Sequence, residues 1–543
     1  MAKLRIEKLY GGFPQDYSSD SFGVEARSDQ YTMSTGVNLF LPGYDGYLAP
    51  ADIFGTIIAD GGGVVNSLLR SSTTDVQSTT LPKTYMITGG LSGTAPKIIE
   101  ENSSAVQTAV AISLASTASH GGHNFTTIAS NGDGFWGQDT VIYKHNVGGT
   151  STRSLLYAWN DNTDGDIGKI VLNSTTGSIG ANDDDWMSTN ATGGSTSGIV
   201  TSVPHIFAEG ADLVLYFTNG QYVGSYDGNT GTNGTVNYSA LNLGAGWVGV
   251  DIRRYKNYIA VACIQSAAGN SFTYESNNKI ILWDGFSPDP NFVYEVTDSR
   301  LSAIFVANGK LFAFSDGKNN TTKAWKFNGA EFVKIAEALT SRIGSAPNPK
   351  CIEYYRGNLT WANSQYVVSL NGIDSNRSGI HLTMINNNGT DTSTSTGFIR
   401  NVEQGLLRAS GLYNTTYSLT QNSLGAKFYA SSPRIRTRLI QLPHRSCIKK
   451  MTVYFAQFGS GASVTLSLFK NKNTESIGGA ADLLNKQLTA TALGTSTESF
   501  SFETFIDDVD SFYMTITFDH ASVSNTAAII KAIEFEIEPT NAY

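Results

Sequence analysis

At 543 residues the chain is long enough for more than one domain with a proper core. Only 15% of its residues are charged, against a usual ~25%, and a net charge of −9 argues against a protein that grips nucleic acid by neutralising phosphates. Cys263, Cys351 and Cys447 lie 88 and 96 residues apart with no C-x-x-C, which argues against a disulfide framework or a structural zinc site.

Glycine is 55 of 543, about a tenth, and Ser, Thr, Asn and Tyr fill the space that charged residues leave. Such polarity without charge is typical of long-lived extracellular or virion β-proteins. Lys3, Arg5 and Glu7 stand where a signal peptide needs apolar residues. No run approaches ~18 apolar residues. Synthesis in the cytoplasm, with no membrane partner, is the expectation.

In chain order, residues 1–50 read as an irregular leader. Gly11-Gly12-Phe13-Pro14 and Leu41-Pro42-Gly43-Tyr44-Asp45-Gly46-Tyr47 break any helix. Short strand-like pieces such as Val37-Asn38-Leu39-Phe40 lie between them.

From 51 to 400, strand patterns of four to seven residues, rich in β-branched and aromatic types, alternate with loops. They include Thr84–Ile87, Thr140–Tyr143, Leu155–Trp159, Leu213–Phe217, Tyr258–Ile264, Lys279–Trp283, Ala303–Val306, Lys310–Phe314 and Gln365–Val368. One turn recurs: Tyr226-Asp227-Gly228, Trp283-Asp284-Gly285, Phe327-Asn328-Gly329 and Leu370-Asn371-Gly372, with glycines 57, 44 and 43 residues apart. Asp-Gly and Asn-Gly suit a type I′ hairpin, whose two central residues need φ > 0. A recurrence of about 40–50 residues, each unit holding several strands, predicts an irregular β-propeller of about six or seven blades. Ala307-Asn308-Gly309 predicts a further hairpin. Ser104–Ala115 lacks Gly and Pro and is open to a short helix, but its Val and Ile content and its neighbours favour strand. Ser174–Ser202 and Asn386–Thr396 are polar and of low complexity, as surface loops are.

A connecting segment follows over 401–433. Over 434–543 the pattern changes to period two, cleanest in Val464-Thr465-Leu466-Ser467-Leu468 and in Met514-Thr515-Ile516-Thr517-Phe518. One buried and one wet face predict a C-terminal β-sandwich, jelly-roll-like.

Candidate chemistry is sparse. His120-Gly121-Gly122-His123 offers two imidazoles with no carboxylate at ligand spacing, so a solvent loop is preferred to a metal site. Asn160-Asp161-Asn162-Thr163-Asp164-Gly165 opens like a calcium loop, but Val171 stands where the bidentate Glu belongs, and a polar hairpin tip fits better. Asn182-Asp183-Asp184-Asp185 reads as a solvated acidic loop. Ser130-Asn131-Gly132-Asp133-Gly134-Phe135-Trp136 and Ser315-Asp316-Gly317 lack the Ser-x-Asp spacing of sialidase turns. Arg253-Arg254 reads as a solvated strand end, and Cys263 as a core thiol. Any of 46 acidic residues is free to form a glycosidase pair, and no nucleophile, zinc-protease or phosphate-loop motif occurs. No catalytic, cofactor-binding or metal residue is assigned, and an enzyme is not expected.

The opening Leu9-Tyr10-Gly11-Gly12-Phe13, the later Gly43-Tyr44-Asp45-Gly46-Tyr47-Leu48, the irregular middle, and the end resemble tailed-bacteriophage virion proteins of the tail-nozzle and propeller type. The end here means Leu439-Ile440-Gln441-Leu442-Pro443, Lys449-Lys450-Met451-Thr452-Val453-Tyr454-Phe455 and Ile533-Glu534-Phe535-Glu536-Ile537. The resemblance covers the whole chain in pattern. It implies a structural, oligomeric component of the tail or neck, a ring of copies around the DNA path that docks neighbouring tail proteins. DNA would pass without specific binding. The alternative is a carbohydrate-binding receptor-recognition protein or a propeller glycosidase, for which the 25 Tyr, 27 Phe and 7 Trp supply stacking surfaces.

Overall fold

A computed structural model describes residues 2–7, 9, 31–38, 47–50, 52–59, 64–70, 84–89, 97–101, 107–111, 140–147, 150–160, 165–173, 178–200, 203, 205–211, 214–230, 232–266, 274–298, 300–317, 321–339, 346–347, 349, 352–355, 357–363, 366–373, 378–385, 399–403, 406–410, 415–424, 433–437, 439–459, 461–470, 483–489, 499–520 and 528–540. Among them the protein is all-β apart from one five-residue helix. No helix described is long and apolar enough to cross a membrane.

The chain opens with β1 (Ala2–Ile6), β2 (Tyr31–Thr35), β3 (Val37–Asn38), β4 (Ala49–Pro50) and β5 (Asp52–Ala59). Four-stranded antiparallel sheets then recur. The first is β6 (Val64–Arg70), β7 (Thr84–Gly89), β8 (Lys97–Glu101) and β9 (Gln107–Ala111). The stretch open to a helix is thus a strand at β9. Next come β10 (Thr140–Val147), β11 (Thr150–Asn160), β12 (Gly165–Leu172) and β13 (Ile179–Asp183), followed by α1 (Trp186–Asn190). The third sheet is β14 (Phe207–Glu209), β15 (Val214–Asn219), β16 (Tyr222–Asp227) and β17 (Thr235–Asn242). The fourth is β18 (Trp247–Tyr255), β19 (Tyr258–Ser266), β20 (Tyr274–Trp283) and β21 (Phe292–Glu295). The fifth is β22 (Arg300–Ala307), β23 (Lys310–Gly317), β24 (Thr321–Phe327) and β25 (Phe332–Leu339). The same order is kept by β26 (Ile352–Tyr355), β27 (Asn358–Asn363), β28 (Tyr366–Asn371) and β29 (Gly379–Ile385), which belong to a larger sheet. Finally β30 (Ile399–Glu403), β31 (Leu406–Ser410) and β32 (Thr415–Leu424) take β5 as their fourth strand. First strands lie side by side: β14 with β18, β18 with β22, β26 with β30, β30 with β6, and β6 with β10. Repeated four-stranded sheets in this arrangement are consistent with a propeller.

In the third to fifth sheets the inner strands β15, β18, β19, β22 and β23 are buried on both faces, which explains apolar runs without alternation. In β23, Leu311 and Ala313 join a core shared with the third and fourth sheets, while Phe312 and Phe314 join one shared with β26–β29. In β15, Tyr216 faces the fourth sheet, and Leu215 and Phe217 face the second.

The recurring Asp/Asn-Gly turn occupies one place, between the third and fourth strands of four successive units, which accounts for its spacing. It is not the type I′ turn that the dipeptide predicts. Only the glycine is left-handed at Gly285 (φ 90°), Gly329 (φ 107°) and Gly372 (φ 65°). The preceding Asp or Asn instead folds its side chain onto the next amides. Asp284 Oδ1 accepts from the N–H groups of Phe286 and Ser287, Asn328 Oδ1 from Ala330 and Glu331, and Asp227 Oδ1 from Asn229. The Asn308-Gly309 hairpin does have both residues left-handed, at 48° and 70°.

The remaining strands are β33 (Arg434–Thr437), β34 (Ile440–Gln457), β35 (Ala462–Phe469), β36 (Leu484–Thr489), β37 (Ser499–His520) and β38 (Ile529–Pro539). The 22-residue β37 changes partners along its length. Its first part pairs with β34, which pairs with β38, which pairs with β1. Its last part lies between β33 and β35, with β36 outside β35 and β2 outside β33. Met451 and Val453 of β34 and Ile533 and Phe535 of β38 share a core with Val464, Leu466 and Leu468 of β35 and Met514, Ile516 and Phe518 of β37. The intervening Thr465, Ser467, Thr515 and Thr517 are half-buried, as period two requires. Leader residues Ile6, Leu9, Val37 and Leu48 join the same core. Lys3 Nζ reaches Glu534 at 2.9 Å.

Two glycines separate backbone strain from crowding. A Cβ at Gly329 would meet nothing within 4 Å, whereas one at Gly285 would stand 2.4 Å from Tyr216 Oη. Gly329→Ala should cost about 1–2 kcal/mol for its left-handed backbone alone. Gly285→Ala should cost more, about 3 kcal/mol, because Tyr216 is packed on Trp283 and must move. Urea-denaturation midpoints of the two variants check the order.

Candidate functional site

The sequence candidates fall in different places. Residues 120–123, 130–136 and 161–164, and Cys351, lie outside the described residues. Asn160 and Gly165 face each other across the β11–β12 hairpin. Of the 182–185 run, Asn182 Oδ1 accepts from Tyr157 Oη at 2.7 Å and Asp183 accepts from Asn190, so the run is tied into its sheet and α1. Among the described residues no three His, Cys, Asp or Glu side chains gather as a metal site. Cys263 is fully buried, and burial pushes its thiol up to about 12.

What the structure does assemble is a set of buried polar side chains at the boundaries between sheets. Asp251 sits at a register shift on β18, fully buried. Its Oδ1 accepts from Ile252 N at 2.8 Å and its Oδ2 from Ile304 N on β22 at 2.9 Å, so one carboxylate joins the first strands of two sheets. Arg253 Nε lies 3.4 Å from Asp251, and its guanidinium stands 5.7 Å from the Phe305 ring centroid. Arg253 is therefore not a solvated strand end: its side chain is 13% exposed, and the Asp251 charge draws it inward. Arg254 is the exposed member of the pair and donates to Gly210 O.

Ser315 and Asp316 also work at a boundary. Trp325 Nε1 donates to Ser315 Oγ at 2.7 Å, Ser315 Oγ donates to Asp298 Oδ2 at 2.5 Å, and Lys323 Nζ donates to Asp298 Oδ1 at 3.0 Å. Asp316 accepts from Ala346 N at 2.7 Å, and its carboxyl is raised, chiefly by burial. Asn278 holds the segment entering the fifth sheet, accepting from Leu301 N and donating to Asp298 O. Asn219 does the same for the segment before the third sheet, accepting from Val200 N and donating to Gly198 O. Glu100 reaches from β8 to Ile179 N of β13.

Two groups sit where burial sets their charge. Asp166 accepts from Ile167 N and from both the amide and hydroxyl of Ser188, holding the start of α1 where Asp185 makes no side-chain cap. Burial still raises its carboxyl to about 6. His205 is fully buried beside Asn219 and Val200, and burial lowers it to about 4. Nothing in sequence marked Asp166, Asp251 or His205; their signal is burial, which needs the fold.

No family model matches the chain, and no curated protein matches it. Among solved structures it is similar to the Dos1 propeller, with 10% identity over 73% of this chain and 84% of that one and a TM-score of 0.36. It is similar to U3-55K, with 9% identity over 67% and 98% and a TM-score of 0.39. It is also similar to the computationally designed Ika8 protein, with 12% identity over 67% and 100% and a TM-score of 0.35.

Asp251→Ala should destabilise the protein by about 3–5 kcal/mol, since it strips two buried amides of an acceptor and leaves Arg253 uncompensated. Chemical denaturation measures this. His205 and Asp166 oppose each other in acid. Below pH 6.5 the unfolded His205 takes up a proton that the folded one refuses until about 4, so stability falls across that window. Folded Asp166 protonates near 6, before its unfolded form at 3.8, so stability rises as pH falls between those values. Asp166→Asn should therefore steepen acid destabilisation between pH 6 and 4, and His205→Gln should flatten it, read from urea midpoints across that range.

Proposed function

We propose that the chain is a structural component of a tailed-bacteriophage virion, an oligomeric tail or neck protein of nozzle-like kind that surrounds the DNA path and docks neighbouring tail proteins. In this reading the middle is a propeller of seven blades. Strands β6–β29 supply six, and β30–β32 with β5 supply the seventh, so a strand from before the first blade closes the last. The two layers that share β37 are a β-sandwich, built from 434–540 together with leader strands β1 and β2. The protein acts without catalysis or cofactor, is made in the host cytoplasm and ends in the particle.

The observation that carries this reading is how the buried acids are used. Glu100, Asp166, Asp251, Asp298 and Glu534, carboxylates buried among the described residues, each hold a backbone amide or a cation. They are spent on rigidity, which suits a subunit whose work is to keep its shape. The low charge supports the same role, because a non-basic wall lets DNA slide.

Mass spectrometry and cryo-microscopy of purified virions that encode this chain test the proposal. The expected result is a ring of copies on the particle axis, each with a seven-sheet disk. Absence of the chain from the particle, or release of reducing sugar from polysaccharide by the recombinant protein, overturns it.

A further inference from the structure

Four of the six large apolar side chains exposed among the described residues fall between 286 and 333: Phe286 (78% exposed), Phe292 (46%), Val293 (52%) and Val333 (42%). Two of them stand on β21, the outer strand of the fourth sheet. Outer strands usually carry a lysine, a proline or a bulge that discourages pairing. The neighbouring β25 has Lys334 and a register shift, and the pairing of β17 shifts register too. Strand β21, Phe-Val-Tyr-Glu, is short but has no lysine, proline or register shift, and no strand covers its outer edge among the described residues.

The exposed rings are held from behind. Phe292 rests edge-on against Tyr258 at 5.7 Å, and Tyr294 against Phe327 at 4.7 Å and Phe332 at 6.2 Å. A surface fixed in advance loses little freedom on binding. Its rim is acidic. Asp289, Glu295 and Glu331 are exposed, and Asp284 is held far below the usual carboxylate range by hydrogen bonds from Ser287 and Phe286. The nearby cations are engaged: Lys334 with Glu337, Lys256 over Tyr255, and Lys279 with Leu243 O.

We propose that the edge of β21 takes an extended segment of a partner protein in which apolar residues alternate with Arg or Lys. The register argues for alternation. Phe292 and Tyr294 share one side of β21, Val293 and Glu295 the other, so an added strand meets an aromatic face on one side and a carboxylate on the other. A second copy of the chain, at net −9, brings the wrong charge. The inference does not rest on the virion reading, and absence from particles would leave it standing.

The test titrates the full-length chain with a capped, labelled octapeptide alternating Val and Arg, followed by fluorescence anisotropy. Controls are the Val/Glu counterpart and a Val/Arg peptide N-methylated at alternate amides, which cannot add as a strand. The Val/Arg peptide is expected to bind and both controls to fail. Phe292→Ser with Val293→Thr, and separately Glu295→Lys, should each weaken binding about tenfold, roughly 1.4 kcal/mol. Urea-denaturation curves that stay cooperative, with native far-UV circular dichroism, verify that the variants keep the fold. Equal binding by the N-methylated peptide, equal affinity of the variants, or no binding of the Val/Arg peptide overturns the proposal. So does a change in the sedimentation of the unliganded chain caused by the variants, which would make this edge a contact between copies.

Discussion

A sheet buried on both faces leaves no wet side on which its connecting segments can rest. That constraint governs the inner strands of the third to fifth sheets. Chain that passes from one four-stranded sheet to the next runs beside apolar cores, and its peptide groups must find partners there or cost stability. Short polar side chains supply them. Asn219 and Asn278 each accept from one amide and donate to a carbonyl of the incoming segment, and Asp251 links two first strands directly. The composition follows from this need. Amides and hydroxyls can be buried with their bonds made, whereas unpaired ions cannot.

The strands over 434–540 follow the other sheet rule. Residues of β35 and of the last part of β37 alternate between buried and half-buried, and exposed ion pairs such as Lys449 with Glu538 and Arg445 with Asp508 lie on these strands. The pairing of the long β34 and β37 carries register shifts, and β37 has left-handed residues at Phe505 and Asp508. Bulges of this kind bend a strand and increase its twist.

Strand content and the repeating unit were legible because both are local. Apolar runs of the right length, and an Asp or Asn before Gly at a fixed place, survive in the sequence whatever surrounds them. The turn geometry was misread because Asp-Gly fits two solutions, and only the hydrogen bonds of Asp284 and Asn328 decide between a left-handed pair and a side-chain cap. The leader was opaque for a different reason. The alternation Lys3-Leu4-Arg5-Ile6 is visible, but its partner Ile533–Ile537 lies more than 500 residues away, and nothing local points there. The polar links were equally hidden. Asp251 looks like any of 46 acidic residues until its strand is placed beside β22, and Arg253 looks solvated until Asp251 is known to be beneath it.

The pairing of β1 with β38 sets a timetable. Lys3 and Glu534 are separated by 531 positions, so β1 waits for β38. At ribosomal speeds of roughly 5–20 residues per second that interval is on the order of half a minute to two minutes. Throughout it the nascent polypeptide carries an unmated edge, and β5 likewise stands idle until β32 emerges. Such distant closure makes assembly of the monomer slow. It also ties completion to the late strands, since a product terminated before β38 would leave β1 without its partner, and one terminated before β32 would leave β5 without its own.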